Sequence, residues 1–259
     1  MTVVRCLLLV LFPLSDHCAA QDAPLKWGTV KGQIVMDGKP EAVSSLEVER
    51  DKEFCGKHDL KDESLLVNPK NGGLQNVVIW LSSRKEVPVH PDLQALPKPA
   101  KLDNRDCGFH PRIVRLRCNQ TLQAINSDPV AHNVAVYGRR NQPFSIVVPG
   151  DMPLERSFAR EEVAPIRVDC SIHPWMHAYL IITEHPYSVV TDKDGRFEIR
   201  NVPQGEWEFK MWHERPGYLR TVQGQEKMEL KRGLLKVDVS EQTDLGTWKV
   251  PVADFAADQ

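Results

Sequence analysis

The hydrophobic positions of this chain recur mostly in short segments with a period of two, bounded by Gly, Pro, Asn or Asp. In residues 166–170 (IRVDC), apolar side chains alternate with charged ones. In residues 206–211 (EWEFKM), Trp, Phe and Met form one face and Glu, Glu and Lys form the other. A helical period of 3.6 residues is nearly absent. This pattern predicts an all-β protein.

Further apolar or alternating segments lie at 28–40, 76–83, 112–118, 132–138 and 178–185. Each is followed or preceded by residues that favour turns, as in the tight-turn sequence DKDG at 192–195. The stretch 86–105 is rich in Pro, which is typical of a linker or a domain boundary. We place the linker at residues 86–100.

The first twenty residues have the composition of a secretory signal peptide. One Arg precedes an apolar run from Cys6 to Leu14, and the small residues Cys18 and Ala20 suit cleavage after Ala20. The apolar run is too short to span a bilayer, which disfavours an uncleaved anchor. We therefore expect an exported protein of the periplasm or cell envelope, with no stable membrane insertion.

Charge and motifs exclude several classes of function. The chain has 33 Lys and Arg against 35 Asp and Glu, a formal net charge of −2, and the two signs are interspersed. This distribution lacks the basic patch of a nucleic-acid-binding protein. The sequence shows no nucleophile-elbow serine, no Gly-rich phosphate loop and no C-x-x-C-H haem motif. The oligomeric state stays open.

Residues 170–177, CSIHPWMH, concentrate metal-binding side chains in one short loop between two predicted strands. Cys170, His173 and Met176 have the spacing C-x2-H-x2-M, and His132, at the head of a separate strand, is the candidate for a fourth ligand. Two imidazoles, a thiolate and a weak thioether suit copper in an electron-transfer site. Hard cations prefer carboxylate oxygens, and zinc rarely takes a Met ligand.

The same residues favour electron transfer over catalysis. Four protein ligands in one cluster leave no coordination position for a substrate, so we expect no enzymatic activity. Asn133 is placed to hydrogen-bond to the Cys170 loop and to hold the two ligand segments together. His173 is expected near the surface as the electron port. Pro174 and Trp175 then form an apolar rim for a redox partner, or Trp175 simply packs under the loop.

The Cys-x2-His spacing occurs three times, so it is not specific by itself. It recurs in CGKH at 55–58 and in CGFH at 107–110, without a following Met. These two pairs are compatible with a Cys2His2 zinc site, but export favours a disulfide between Cys55 and Cys107. Cys118 is then interpreted as a buried free thiol, although connectivity is not fixed by sequence. His177, His185 and His213 are interpreted as ordinary surface or edge-strand residues rather than ligands.

DPVAHNV at 128–134 followed by PIRVDCSIHPWMHAYLIIT at 165–183 resembles the copper-binding pattern of the cupredoxins, the type 1 blue copper proteins of the amicyanin and plastocyanin kind. The compact C-x2-H-x2-M loop carries the resemblance most clearly. It implies a Greek-key β-sandwich over residues 101–186, one type 1 copper per chain and one-electron transfer. The four ligand positions of the family fall on His132, Cys170, His173 and Met176.

The flanking segments resemble a carboxypeptidase-regulatory-like, transthyretin-like β-domain. The resemblance rests on GTVKGQIVMDGKP, NVVIWL and VVTDKDGRFEIRNVPQGEWEFKMWHE, and it implies a discontinuous domain over 26–85 and 187–252 with the cupredoxin domain inserted. In the alternative, the N-terminal strands merely extend the cupredoxin sandwich. The whole arrangement resembles exported bacterial proteins labelled methylamine utilisation proteins.

Three functions follow from these observations. The first is an exported electron carrier that meets transient redox partners. The second is a cell-envelope binding or scaffold protein, with a protein or glycan partner and an accessory copper site. The third is a periplasmic copper store or chaperone.

Overall fold

The computed structural model describes residues 24–255 and confirms the predicted all-β class. The predicted signal peptide lies outside the described residues. In chain order the strands and the one short α-helix are β1 (Trp27–Asp37), α1 (Lys52–Cys55), β2 (Val78–Ser82), β3 (Ala100–Arg105), β4 (Gly108–His110), β5 (Ile113–Arg117), β6 (Thr121–Asn126), β7 (His132–Val136), β8 (Phe144–Val148), β9 (Leu154–Ser157), β10 (Ile166–Asp169), β11 (His177–Thr183), β12 (Ser188–Val190), β13 (Arg196–Pro203), β14 (Gly205–His213), β15 (Gly217–Tyr218), β16 (Thr221–Gln223), β17 (Lys227–Glu229), β18 (Leu234–Val239) and β19 (Gln242–Pro251).

Within residues 24–255 the strands form four sheets, which pack in pairs around two separate cores. One pair has the orders β13-β1-β19-β16-β17 and β12-β2-β14-β15, with β18 also paired to β14. The other pair has the orders β5-β11-β10-β7-β8 and β4-β3-β6-β9. We call these pairs the flanking sandwich (27–82 and 188–255) and the inner sandwich (100–183).

The flanking sandwich buries one face of each long strand. In β14, Phe209 and Met211 are buried and Trp207 is partly buried, while Glu206 and Glu208 are exposed, as a period of two requires. These residues share one core with β1, β2 and β19. β1 pairs with β13 and β19, and β2 pairs with β12 and β14. Strands that precede the inner sandwich in sequence thus pair with strands that follow it. The carboxypeptidase-regulatory-like assignment of this sandwich stays a prediction.

The inner sandwich has its own core, built from alternating positions of both its sheets. Val134 and Val136 of β7 and Ile166 and Val168 of β10 are buried, and Cys170 belongs to the same apolar cluster. The end of this core is therefore the place where the predicted ligands meet.

The contacts between the two sandwiches include a small apolar cluster and a buried ion pair. The cluster consists of Val78, Trp80, Ile113, Ile181 and Trp212. Beside it, the guanidinium of Arg112 donates two hydrogen bonds to the carboxylate of Glu214, at 2.5 and 2.7 Å, and both side chains are largely buried. Within residues 24–255, no helix reaches the length and apolar character needed to cross a membrane.

Two histidines lie elsewhere than the sequence predicts. His185 and His213 are buried, so their interpretation as surface or edge-strand residues is wrong. Burial lowers the pKa of His185 to about 4 and that of His213 to about 3, because an apolar environment disfavours the charged imidazole. Each of the two histidines adjoins tightly packed apolar strands. The sequence of such a segment does not indicate whether a single imidazole faces the core or the solvent.

Candidate metal centre

Neighbouring strands of the inner sandwich bring the candidate ligands to one end of the sheet. β7 and β10 pair antiparallel, with Asp169 opposite Ala135, so the start of β7 lies beside the residues that follow β10. β10 and β11 also pair, and Asp169 opposite His177 closes the loop 170–176. His132, the first residue of β7, therefore faces this loop across the strand pair.

Hydrogen bonds inside the loop fix its compact shape. The backbone N–H of Cys170 donates to the carbonyl oxygen of Met176 at 3.1 Å. The N–H of Met176 in turn donates to the carbonyl oxygen of His173 at 2.9 Å. These bonds turn the chain back on itself, so three candidate ligands leave one short segment. All three are buried, and Met176 packs in the same apolar cluster as Cys170.

The structure places three donor atoms around one point. The Sγ atom of Cys170 lies 3.7 Å from Nδ1 of His173 and 4.0 Å from Nδ1 of His132. One ligand atom from each of the three residues falls within 4.8 Å of the other two. The two imidazole rings have centroids 4.6 Å apart and are tilted by 48°. Their Nδ1 atoms, rather than their Nε2 atoms, face the sulfur.

Asn133 links the two ligand segments. Its side-chain oxygen accepts the backbone N–H of Ser171 at 2.6 Å. Its amide nitrogen donates to the hydroxyl of Ser145 at 2.9 Å and to the hydroxyl of Ser171 at 3.3 Å. The side chain next to one ligand thus holds the loop that carries the other three.

The Nε2 atom of His132 contacts a carboxylate that sequence reasoning missed. Oδ2 of Asp128 lies 2.9 Å from this nitrogen, and both side chains are buried. The Asp128 carboxylate also accepts the backbone N–H groups of Asp106 and Cys107, at 2.7 and 2.9 Å. These two residues form the β3–β4 turn with positive φ values of 52° and 55°, a backbone shape that is unfavourable for residues other than Gly, Asn or Asp. Asp128 therefore stabilises both the turn and the imidazole.

A second carboxylate contacts His173, and it comes from the flanking segment. Oδ2 of Asp51 lies 2.8 Å from Nε2 of His173. Asp51 directly precedes α1, and Cys55 at the end of that helix has its Sγ atom 3.8 Å from the same nitrogen. The two residues of the Asp51–His173 pair are 122 positions apart, so no local pattern predicts the contact. Asp128, four residues before His132, was visible in the sequence as a nearby acid.

The expectation that His173 lies near the surface is wrong. Its side chain is 0% exposed because Asp51 and Cys55 cover the Nε2 edge. Pro174 is exposed, and Trp175 is partly exposed. The indole N–H of Trp175 donates to the carbonyl oxygen of Cys107 at 3.1 Å, and its ring lies 5.1 Å from that of His173. Trp175 also lines a cleft of about 260 Å³ together with Met176 and His177. A docking role for Pro174 and Trp175 stays a prediction.

A disulfide joins Cys55 to Cys107, with Cα atoms 5.6 Å apart. Both sulfurs are therefore occupied, and the alternative of a Cys2His2 zinc site at the two other Cys-x2-His pairs is wrong. Among the described residues the free cysteines are Cys118 and Cys170. Cys118 is partly rather than fully buried, and burial, with Glu184 as a further cause, raises its thiol pKa to about 11.

The electrostatics of the centre favour a neutral His132. Burial is the main cause that lowers its pKa, the hydrogen bond that its Nε2–H donates to Asp128 opposes the shift, and the nearby His173 ring adds to it. A neutral imidazole with its proton on Nε2 leaves the Nδ1 lone pair available for a metal ion. The contact with Asp128 selects this tautomer.

The donor set fits copper. Two imidazole nitrogens and one thiol sulfur converge, and a thioether is buried beside them. The carboxylates of Asp51 and Asp128 both contact the far nitrogens of the imidazole rings, so neither is directed at the point where Nδ1 and Sγ meet. A calcium or magnesium ion would lack its preferred oxygen ligands there.

No family model matches the chain, and no curated protein matches it. Among solved structures, similarity extends to a Cu-containing nitrite reductase (NirK) from Thermus scotoductus SA-01 at 17% identity and a TM-score of 0.31, over 38% of this chain and 25% of that chain. A purple cupredoxin from Nitrosopumilus maritimus matches at 19% identity and a TM-score of 0.28, over 32% and 99% of the two chains. The reduced Cu(I) form of an amicyanin mutant matches at 13% identity and a TM-score of 0.29, over 40% and 97%.

The similarity thus spans a quarter of the length of the nitrite reductase. At these identities and TM-scores, neither the family nor the function of this chain is inferred from the matches. The all-β class rests on the strands and sheets described above, and the candidate centre rests on its own donor atoms.

Proposed function

We propose that this chain is an exported protein with one type 1 copper ion, which transfers single electrons between transient redox partners. The observation that carries the proposal is the convergence of Nδ1 of His132, Nδ1 of His173 and Sγ of Cys170 within 4.8 Å in a buried pocket. The resemblance of the ligand segments to the cupredoxins supports the same conclusion.

The four residues would hold the ion through two imidazoles, one thiolate and one weakly binding thioether. His132 and His173 would bind through Nδ1, Cys170 through its thiolate, and Met176 through its thioether. Copper bound in this way supplies one-electron exchange between Cu(II) and Cu(I). The frame around the ligands is rigid: β7, β10 and β11 are paired strands, and Asn133 ties the ligand loop to β7. A rigid frame keeps the ligands in place when the charge of the ion changes.

The geometry supports an electron carrier more than an enzyme. The ligand residues are buried, and Asp51 covers the Nε2 edge of the His173 imidazole. A catalytic copper or zinc ion would need an accessible position for water or substrate. We therefore propose that the protein has no enzymatic activity of its own.

The test is optical. Copper-loaded, oxidised wild-type protein should show intense visible absorption from thiolate-to-Cu(II) charge transfer, and Cys170→Ser should abolish it. Cys118→Ser is the matched control, because it removes the other free thiol of the described residues and should leave the spectrum unchanged. A colourless copper-loaded wild type, or equal loss in both variants, contradicts the type 1 assignment.

The two other functions make different predictions. A scaffold protein would retain a stable partner in a pull-down from the exported fraction, with wild type and Cys170→Ser alike. A copper store or chaperone would transfer Cu(I) rapidly to a competing chelator. The burial of the candidate ligands under Asp51 and the disulfide favours slow release.

A further inference from the structure

In each imidazole of the candidate centre, the ring nitrogen that faces away from Cys170 contacts a carboxylate. Asp128 contacts Nε2 of His132 at 2.9 Å, and Asp51 contacts Nε2 of His173 at 2.8 Å. The Asp128 contact is made within the inner sandwich, four residues from its histidine. The Asp51 contact reaches across from the segment between β1 and β2, which belongs to the flanking part of the chain.

We propose that Asp51 is a positioning residue of the metal centre, which fixes the His173 imidazole and biases bound copper toward its oxidised state. The inference rests on the proposed copper function. Both parts of the chain then contribute to the centre. The inner sandwich supplies the ligands, and the flanking segment supplies one of the two carboxylates that orient the imidazoles.

The first effect of Asp51 is on the tautomer. A carboxylate is an acceptor, so at this distance it holds the imidazole proton on Nε2 and leaves Nδ1 bare. Nδ1 of His173 is the atom that lies 3.7 Å from Sγ of Cys170. Without an acceptor at Nε2, the proton could occupy Nδ1 instead, and the ring could not bind copper without losing it.

The second effect is on charge. Reduction by a partner would add one electron and lower the charge of the bound ion by one, and it would leave the Nε2 proton on His173. A nearby anion stabilises the ion of higher charge more strongly, so it favours Cu(II) over Cu(I). The side chain of Asp51 is 41% exposed, and solvent weakens its field, whereas that of Asp128 is 2% exposed. The effect of Asp51 is therefore the smaller of the two.

The backbone around Asp51 is built to hold the carboxylate in place. Asp51 has φ 46° and ψ 43°, in the left-handed region, and its carbonyl oxygen accepts the N–H groups of Phe54 and Cys55 at 2.9 and 2.8 Å. The disulfide then ties Cys55 to Cys107, whose N–H donates to Asp128. The disulfide thus links the helix that follows Asp51 to the β3–β4 turn, which is hydrogen-bonded to Asp128.

Asp51→Asn is the informative variant. Asn tolerates the left-handed backbone, so the turn is preserved while the charge and the strong acceptor are lost. Glu53→Gln is the matched control, because it removes one exposed charge two residues away, on the helix that Asp51 precedes. Asp128→Asn is less informative, since Asp128 also holds the β3–β4 turn.

In copper-loaded protein, the Cu(II)/Cu(I) midpoint potential should rise in Asp51→Asn and stay at the wild-type value in Glu53→Gln. Competition titration should show Cu(II) binding weakened about 10-fold or more in Asp51→Asn, the usual effect of removing such a partner, with Cu(I) binding less affected. If Asp51→Asn and Glu53→Gln have the same potential and the same Cu(II) affinity, the proposal is overturned.

A second measurement needs no copper. The ¹⁵N chemical shifts of the His173 ring in metal-free wild type should report a proton on Nε2, and Asp51→Asn should shift the population toward the Nδ1 tautomer. An unchanged tautomer would overturn the positioning role. Failure of the copper function itself would appear separately, as a copper-loaded wild type without the thiolate-to-Cu(II) absorption.

Discussion

Removing the Cys55–Cys107 disulfide should be among the most destabilising changes available in this chain. Cys55 ends the short helix between β1 and β2, and Cys107 lies in the β3–β4 turn of the inner sandwich, so the bond crosslinks two separately packed parts. Both residues are buried. The double substitution Cys55→Ala with Cys107→Ala removes the bond without leaving a thiol that could bind metal.

The magnitude follows from the sequence separation of 52 residues between the two cysteines. Closing a loop of that length removes about 14 cal/mol/K of entropy from the unfolded chain, equivalent to about 4 kcal/mol at 25 °C. The free energy of unfolding should fall by this amount. The midpoint of copper binding should also shift, because Asp51 precedes the helix that the disulfide anchors.

The assay is guanidinium denaturation of metal-free proteins, followed by tryptophan fluorescence and by circular dichroism so that the unfolding of both sandwiches is observed. Cys118→Ala serves as the control, since it removes a thiol that makes no crosslink. A double variant that loses less than about 1 kcal/mol would refute the reasoning, because the crosslink would then restrict the unfolded chain far less than its loop length implies.

Two further predictions concern the contact between the sandwiches and the response to acid. Arg112→Met should destabilise the protein by about 3–5 kcal/mol, because it leaves the buried Glu214 carboxylate unpaired; in thermal or chemical unfolding, Arg112→Met combined with Glu214→Met should recover most of the loss, and no recovery would contradict the ion-pair explanation. Burial depresses the pKa of His185 from 6.5 to about 4, so its contribution to stability is complete above pH 6.5 and is lost as the pH falls through 4, a change of up to about 3 kcal/mol. His185→Gln should therefore flatten the unfolding free energy over this range, and an unchanged pH profile would show that another group controls it.

The fold class was predictable because burial on one face of a sheet leaves a direct trace in the sequence. In β14 the buried side chains of Phe209 and Met211 alternate with the exposed Glu208 and the half-buried Lys210. The proximity of Cys170 and His173 was predictable for a related reason. Cys170 to Met176 form one local loop, and the short spacing itself indicates that their side chains can converge.

The partners of those ligands were less accessible to sequence reasoning. Asp51 reaches His173 over 122 residues, through a disulfide-anchored helix whose position depends on how two cores pack. No periodicity encodes such a contact. The burial of His185 and His213 was missed because a polar residue among apolar strands is ordinarily assigned to the exposed face. The structure instead accommodates both imidazoles in their neutral form.

The positions of the three Cys-x2-His segments in space explain why only one of them supplies a free thiol to the candidate centre. Cys55 and Cys107 lie next to the centre formed by Cys170, and Sγ of Cys55 is only 3.8 Å from His173. As free thiols, these two residues would offer rival thiolate ligands close to the candidate metal centre. Oxidation to a disulfide withdraws both sulfurs from metal binding and leaves Cys170 as the thiol that faces the two Nδ1 atoms. The crosslink that stabilises the contact between the sandwiches thus also defines the ligand set, and both effects require the oxidising compartment that we propose for this protein.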